Sequence, residues 1–101
     1  MLVNYHKQVI KFIESLDQHP HAIVDHLVSL LEELGPAIGM PNSRPLGHGL
    51  FELRGRRDVS IRLIYCYYRG TAYILNAVVK KQQRLRRHDI DIALSRKSDL
   101  T

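Results

Sequence analysis

The spacing of apolar residues changes part-way along the chain, and this change limits the folds that the chain can adopt. Before residue 35, apolar side chains recur every three or four positions, as on one face of a helix. After residue 49, they alternate with polar residues or form β-branched and aromatic runs, which is typical of strands. With 101 residues, the chain has the length of one domain. The pattern therefore predicts a single α+β domain over residues 1–101.

The helical part divides into two segments. Apolar spacing predicts a first helix over residues 6–16 and a second over residues 20–34, with Pro20 in the first turn of the second helix. The sequence Gly35-Pro36 ends the second helix, because glycine followed by proline cannot continue it. Two helices with a short joint predict an N-terminal helical hairpin. Residues 35–49 are rich in glycine and proline, which predicts an irregular connection.

The second part of the chain predicts a small antiparallel sheet of three to four strands. Strands are expected over residues 50–54, 59–68 and 71–79, joined by short turns at residues 55–58 and at Arg69-Gly70. A short C-terminal helix over residues 88–97 is expected to pack on the sheet. We expect the helices to cover one face of this sheet.

The charge of the chain is unevenly distributed. Its net charge is +5, yet the first 43 residues hold two basic and five acidic residues, a net charge of −3. The remainder holds thirteen basic and five acidic residues, a net charge of +8. A basic half of this kind attracts polyanions such as nucleic acid, although a solubilising surface is the alternative.

The cysteine count and the hydropathy indicate a cellular location. Cys66 is the single cysteine, so an intrachain disulfide is impossible and the reducing cytoplasm is the expected compartment. No apolar run approaches the roughly 20 residues that a membrane span requires. We expect Cys66, with apolar neighbours in its strand, to be a small buried residue.

An arginine in the middle of an apolar strand is the first candidate for chemistry. Arg62 is costly to bury without a partner. Strand alternation places Glu52 and Arg54 together on one face of the preceding strand, where Arg54 can lie beside Arg62. Two guanidinium groups on one face form a phosphate clamp. The alternative is an ion pair between Glu52 and Arg62 that needs no ligand, and the spacing does not decide between them.

A basic cluster follows the third predicted strand. Five of the eight residues from 80 to 87 are basic: Lys80, Lys81, Arg84, Arg86 and Arg87. Such a cluster is typical of binding to a nucleic-acid backbone, and a solvated basic linker is the alternative. His88 adjoins the cluster and can act as an acid or base near neutral pH. The histidines show no metal-binding spacing, so neither a metal nor another cofactor is expected, and those of the helical part are expected at the surface or in caps.

Four motifs in order resemble the phage-derived HigB-like branch of the RelE superfamily of toxins. Residues 44–54 resemble K-x-L-G-x-G-L-[WYF]-E-L-R, and residues 61–65 resemble [YF]-R-I-[LI]-Y. Residues 75–83 resemble L-h-x-[FV]-x-K-K-[TS]-Q, and residues 90–93 resemble E-I-x-x-A. Three differences from the pattern stand out: the opening strand is short or missing, residues 84–87 replace a threonine-proline pair, and valines 78 and 79 stand where an aromatic residue is frequent.

The resemblance implies a RelE-like fold and the toxin of a type II toxin–antitoxin system. Such toxins are endoribonucleases, and many cut messenger RNA on the ribosome. A cognate antitoxin, often with a helix-turn-helix domain, neutralises them. By position, Arg62 matches the arginine that binds the scissile phosphate. Glu52, Arg54, Lys80 and Lys81 match positions that line or border the same groove.

We expect the following roles from these residues. Arg62, helped by Arg54, binds the phosphate, and Lys80 or Lys81 adds positive charge or acts as a base. His88 or Glu52 is the remaining candidate for proton transfer. The alternatives are a ParE-like toxin that poisons DNA gyrase, a non-catalytic member that binds RNA or the antitoxin, and an unrelated DNA-binding α+β domain.

Overall fold

Nine main elements follow one another along the chain. The computed structural model describes residues 1–56, 58, 60–79 and 84–100. The strands are β1 (Val3–Tyr5), β2 (Ser43–Gly47), β3 (Leu50–Arg54), β4 (Ile61–Tyr68) and β5 (Thr71–Val79). The helices are α1 (Lys7–Glu14), α2 (Gln18–Leu34) and α3 (Arg87–Ser98), and the 3-10 turn Gly35–Ala37 follows α2. The predicted α+β class is confirmed.

The sheet has five strands in the order β1-β5-β4-β3-β2 and is mixed. Strands β3 to β5 form the predicted antiparallel meander, β2 adds a fourth antiparallel strand beside β3, and β1 pairs with β5 in parallel. The prediction of three to four antiparallel strands agrees with β2 to β5, but it lacks the parallel strand β1 and did not locate β2. β1 has only three residues, too few for a visible alternation, and β2 lies inside the segment 35–49 that glycine and proline marked as irregular.

The helices lie on both faces of the sheet, which corrects the expectation of a single covered face. Helices α1 and α2 contact each other and pack against one face, where Val9, Leu27 and Leu31 are buried. Helix α3 packs against the other face, where Ala93 is buried. A sheet apolar on both faces requires a layer on each, and the short C-terminal helix supplies the second layer.

Local capping fixes the helix ends. Nδ1 of His6 accepts a hydrogen bond from the backbone N–H of Gln8 at 3.1 Å and so caps α1. Helix α2 ends at Gly35, whose φ of 53° lies in the left-handed region that glycine adopts without strain. At the start of α3, the Asp89 carboxylate accepts a hydrogen bond from the backbone N–H of Arg86 at 3.1 Å.

A bulge in β5 connects the sheet to α3. Ile64 and Tyr65 of β4 pair with Asn76 and Ile74, so Leu75 is the additional residue. The Leu75 carbonyl accepts a hydrogen bond from Arg96 of α3 at 2.8 Å. Within the described ranges, the structure contains no helix that is both long and apolar enough to cross a membrane.

Candidate functional site: an arginine cluster on the α3 face of the sheet

Four charged side chains meet on the face of the sheet that α3 covers in part. Arg44 of β2 pairs in register with Glu52 of β3, and Arg54 of β3 pairs in register with Arg62 of β4. Alternation along β3 places Glu52 and Arg54 on the same face, as predicted. These four residues, called the arginine cluster below, carry three positive charges and one negative charge.

Glu52 lies at the centre of the cluster. Its side chain is fully buried, and its two carboxylate oxygens accept hydrogen bonds from different arginines. Oε1 lies 2.8 Å from Nε of Arg44, and Oε2 lies 3.1 Å from Nη1 of Arg62. The ion pair between Glu52 and Arg62, which the sequence left as an alternative, is therefore present.

Arg62 is as buried as its partner, with a relative exposure of 0%. A guanidinium with no exposed surface cannot meet a phosphate from solution until the groups above it move. Arg44, in contrast, retains 40% of its side-chain exposure. The burial of Arg62 thus fits an internal ion pair, and the cations at the surface of the cluster are Arg44 and Arg54.

Arg54 differs from the two other arginines of the cluster. It is half-buried, and its guanidinium takes part in none of the ion pairs or side-chain hydrogen bonds found in residues 1–56, 58, 60–79 and 84–100. It lies beside Arg62 in register. Its charge is therefore available to an anionic ligand at the surface.

Helix α3 begins near the arginine cluster. The Asn76 amide donates a hydrogen bond of 3.0 Å to the Asp89 carbonyl, which holds the first turn of α3 over β5. Asn76 pairs with Ile64, two residues along β4 from Arg62, which is about 7 Å in a strand. The start of α3 thus borders the same region of the sheet.

The predicted residues around the start of α3 are placed as follows. Arg84, Arg86, Arg87 and His88 are all exposed. Arg87 forms an ion pair of 3.1 Å with Asp91 on its own helix, which satisfies one cation of the basic cluster locally. Lys80 and Lys81 lie outside the described residues, so their predicted roles stay predictions.

Other predicted residues are part of the packed interior. Cys66 is buried, as expected, and burial raises the pKa of its thiol, which keeps it protonated and unreactive. Phe51, Tyr65 and Tyr67 pack ring against ring on the opposite face of the sheet. Burial also raises the pKa of Tyr65, whose hydroxyl bonds to Ser43 at 2.6 Å.

The histidines do not form a metal site in the described part of the chain. Among those residues, no group of three or more His, Cys, Asp or Glu side chains could hold a metal ion. His6 caps α1, and His21 bonds to Asp25 one turn along α2 at 3.2 Å. The expectation of surface and capping roles is confirmed for these two.

Arg44 is the member of the cluster that the sequence did not identify as a site residue. The prediction treated residues 35–49 as irregular, so no strand placed Arg44 opposite Glu52. A signal was present in the sequence, because a histidine between two glycines favours a tight turn. In the structure, Gly47, His48 and Gly49 have positive φ angles of 92°, 55° and 76°. Consecutive residues of this kind form tight hairpin turns, and a hairpin centred there pairs Arg44 with Glu52.

The comparison with protein families identifies the chain. The sequence model of the family described as "Phage derived protein Gp49-like (DUF891)" matches residues 11–98. The chain belongs to the Gp49-like family. The Gp49-like proteins belong to the RelE/HigB-like toxins of toxin–antitoxin systems, so a toxin of this type with an antitoxin partner is indicated. A comparison with curated proteins found no match.

Proposed function

We propose that the protein is an endoribonuclease toxin that cuts messenger RNA and uses the ribose 2′-OH of its substrate as the nucleophile. The 2′-oxygen forms a bond to phosphorus, and the bond from phosphorus to the 5′-oxygen breaks. A base takes the 2′ proton, and an acid supplies a proton to the departing 5′-oxygen. The products are a 2′,3′-cyclic phosphate and a 5′-hydroxyl end, and the reaction needs no metal ion.

The arginine cluster is the observation that carries this proposal. Attack on a phosphodiester adds negative charge to the phosphate oxygens, so cations held in place beforehand favour the transition state. The cluster has a net charge of +2, and Arg54 has no carboxylate partner within the described residues. We assign the first contact with the scissile phosphate to Arg54, with Arg44 beside it.

Arg62 and Glu52 have a different part in this proposal. Both side chains are fully buried and hold each other at 3.1 Å. Glu52 positions Arg44 through its second oxygen at 2.8 Å. Arg62 therefore adds positive potential beneath the phosphate and fixes Glu52, and it binds the phosphate directly only when the cluster opens.

Proton transfer is assigned to His88 of α3 and to a lysine that precedes this helix in the sequence. His88 is exposed and follows the basic cluster, and it is the proposed acid or base. Lys80 or Lys81 is the proposed second group, and Arg84, Arg86 and Arg87 are proposed to bind the RNA backbone. A helix-turn-helix antitoxin as partner and the ribosome as the place of cleavage belong to the same proposal.

A matched pair of arginine variants tests the proposal. Arg54→Gln removes the unpaired cation of the cluster, whereas Arg56→Gln removes an exposed arginine two residues later, outside the cluster. We expect Arg54→Gln to lower the rate of RNA cleavage by roughly 10²- to 10³-fold, the usual loss for one electrostatic contact. Arg56→Gln should stay within about twofold of the parent protein, since a solvated charge makes no such contact.

The measurement is cleavage of a labelled RNA by the purified protein in the presence of EDTA. Cleavage of messenger RNA on translating ribosomes is measured separately, in a buffer that contains magnesium. Far-ultraviolet circular dichroism confirms that both variants are folded. Undiminished cleavage by Arg54→Gln would refute the assignment of the phosphate contact. Inhibition of DNA supercoiling without RNA cleavage would instead indicate the gyrase-poisoning class of toxin.

A further inference from the structure

A second basic surface lies on the α3 face of the sheet, at the opposite end from the arginine cluster. It consists of Tyr68, Arg69 and Tyr73 at the β4–β5 turn, together with Arg96 and Lys97 near the end of α3. This group is called the turn surface below. Tyr68 is six residues from Arg62 along β4, which is about 20 Å in a strand.

In the part of the chain that the structure describes, the cations of the turn surface form no ion pair with an acidic side chain. Lys97 Nζ donates a hydrogen bond to the His48 carbonyl at 3.0 Å, and Arg96 bonds to the Leu75 carbonyl at 2.8 Å. Both acceptors are neutral, although Asp99 also lines the cavity beside Arg96 and offsets part of the positive charge there. Arg69 is exposed at the tip of its turn, and within the described ranges no ion pair includes any of these three cations.

Two tyrosine rings lie among these charges. The rings of Tyr68 and Tyr73 pack edge to face with their centroids 6.2 Å apart, and the Arg69 guanidinium lies 5.1 Å from the centre of the Tyr68 ring. Neither ring is fully buried. Tyrosine rings and guanidinium planes are the groups on which unpaired RNA bases stack.

The surface also has room for a ligand. A cavity of about 530 Å³ is lined by Tyr68 and Lys97, and one of about 390 Å³ is lined by Tyr73 and Arg96. Leu100 borders both cavities, so they flank the C-terminal end of α3. His6 borders the second cavity, and burial together with the charges of Arg96 and Lys7 lowers the pKa of its imidazole.

We propose that the turn surface binds the single-stranded RNA substrate at a distance from the arginine cluster, with the cations on phosphates and the tyrosines against bases. This inference rests on the proposed nuclease function and extends it to a second contact region on the same strand. At roughly 3.4 Å per stacked nucleotide, 20 Å corresponds to about six nucleotides. The turn surface therefore acts only on RNA long enough to reach it.

Three variants and two lengths of RNA test this inference. Arg69→Asn removes the charge of a residue whose φ is 50°, a backbone conformation that asparagine accepts. Lys97→Gln removes a charge that is hydrogen-bonded to the His48 carbonyl. Tyr68→Leu removes a ring. Arg56→Gln is the matched control, because it removes an exposed charge elsewhere. Binding is measured by fluorescence anisotropy on 2′-O-methyl RNA of about three and about fifteen nucleotides, which cannot be cut.

We expect weaker binding of the long RNA and unchanged binding of the short RNA. Arg69→Asn and Lys97→Gln should each reduce the slope of log K against log salt by about 0.7, as expected when one phosphate contact of a single strand is lost. Tyr68→Leu should raise the Kd for the long RNA by about 5- to 160-fold, as expected for one stacked base. Cleavage of a three-nucleotide substrate should be unaffected in all three variants.

The outcomes separate this inference from the proposed function. If the parent protein cleaves RNA but the three variants bind the long RNA as the Arg56→Gln control does, the turn surface is not an RNA site. If the parent protein binds the long RNA through the turn surface but cleaves neither substrate, the surface stands and the nuclease proposal fails. Absence of binding by the parent protein overturns the turn-surface inference, and the cleavage assay with RNA and ribosomes then decides the nuclease proposal separately.

Discussion

The pair formed by Glu52 and Arg62 supports a quantitative prediction about stability. Both side chains are fully buried, and their charged atoms are 3.1 Å apart. At an effective dielectric constant of about 20, two unit charges at that distance attract by about 5 kcal/mol. Desolvation offsets much of this attraction, so the pair contributes little net stability, but removing one of the two buried partners is costly.

The perturbation is a cycle of Glu52→Leu, Arg62→Met and the double variant. Glu52→Leu should lose about 3–5 kcal/mol, because it removes the carboxylate beside a fully buried guanidinium. Arg62→Met should lose less, because Glu52 keeps its hydrogen bond to Arg44. The double variant should lie within about 2 kcal/mol of the parent protein, because an apolar pair replaces an ionic one. A domain of this size has a total stability of roughly 5–15 kcal/mol, so the free energy of unfolding can be measured for all three variants of a parent protein of average stability.

The assay is urea denaturation followed by circular dichroism. Arg44→Met is the control, since its side chain is 40% exposed and the loss should be about 1 kcal/mol or less. If the losses of the two single variants simply add in the double variant, the buried-pair argument is wrong. The same double variant tests function, because the proposal expects it to fold and yet to cleave RNA poorly, whereas full cleavage would show that the pair is structural only.

Three further predictions concern parts of the molecule outside the cluster. Cys66 should resist alkylation in the native protein and react in urea, because burial raises its pKa; rapid native labelling, measured by mass spectrometry, would contradict its placement. Tyr65→Phe should cost about 1–3 kcal/mol by leaving the Ser43 hydroxyl buried without its partner, and adding Ser43→Ala should recover part of that loss in urea denaturation. Arg69→Asn should raise the melting temperature, since asparagine before glycine suits a turn with two positive φ angles; an unchanged or lower value would refute this.

The elements that the sequence alone determined are those whose signal is local. The strand over residues 71–79 and the turn at Arg69-Gly70 were predicted with the observed bounds, because β-branched runs and a glycine turn act within a few residues. The end of α2 at Gly35 follows from the backbone freedom of one glycine. Alternation in β3 likewise placed Glu52 and Arg54 on one face, because side chains in a strand point to opposite sides in turn.

The other strands and the arrangement of the site were determined by the tertiary structure, because they depend on contacts between residues distant in sequence. β1 has three residues and exists as a strand only through its parallel pairing with β5. β2 places Arg44 against Glu52; the Gly47-His48-Gly49 turn marks a hairpin, but the register of the paired strands determines this contact. Alternation gives the face of the sheet on which Arg62 lies, but it does not show what covers that face. Only the folded chain determines that the Arg62 guanidinium is buried against Glu52, whereas the charge of Arg54 stays available at the surface.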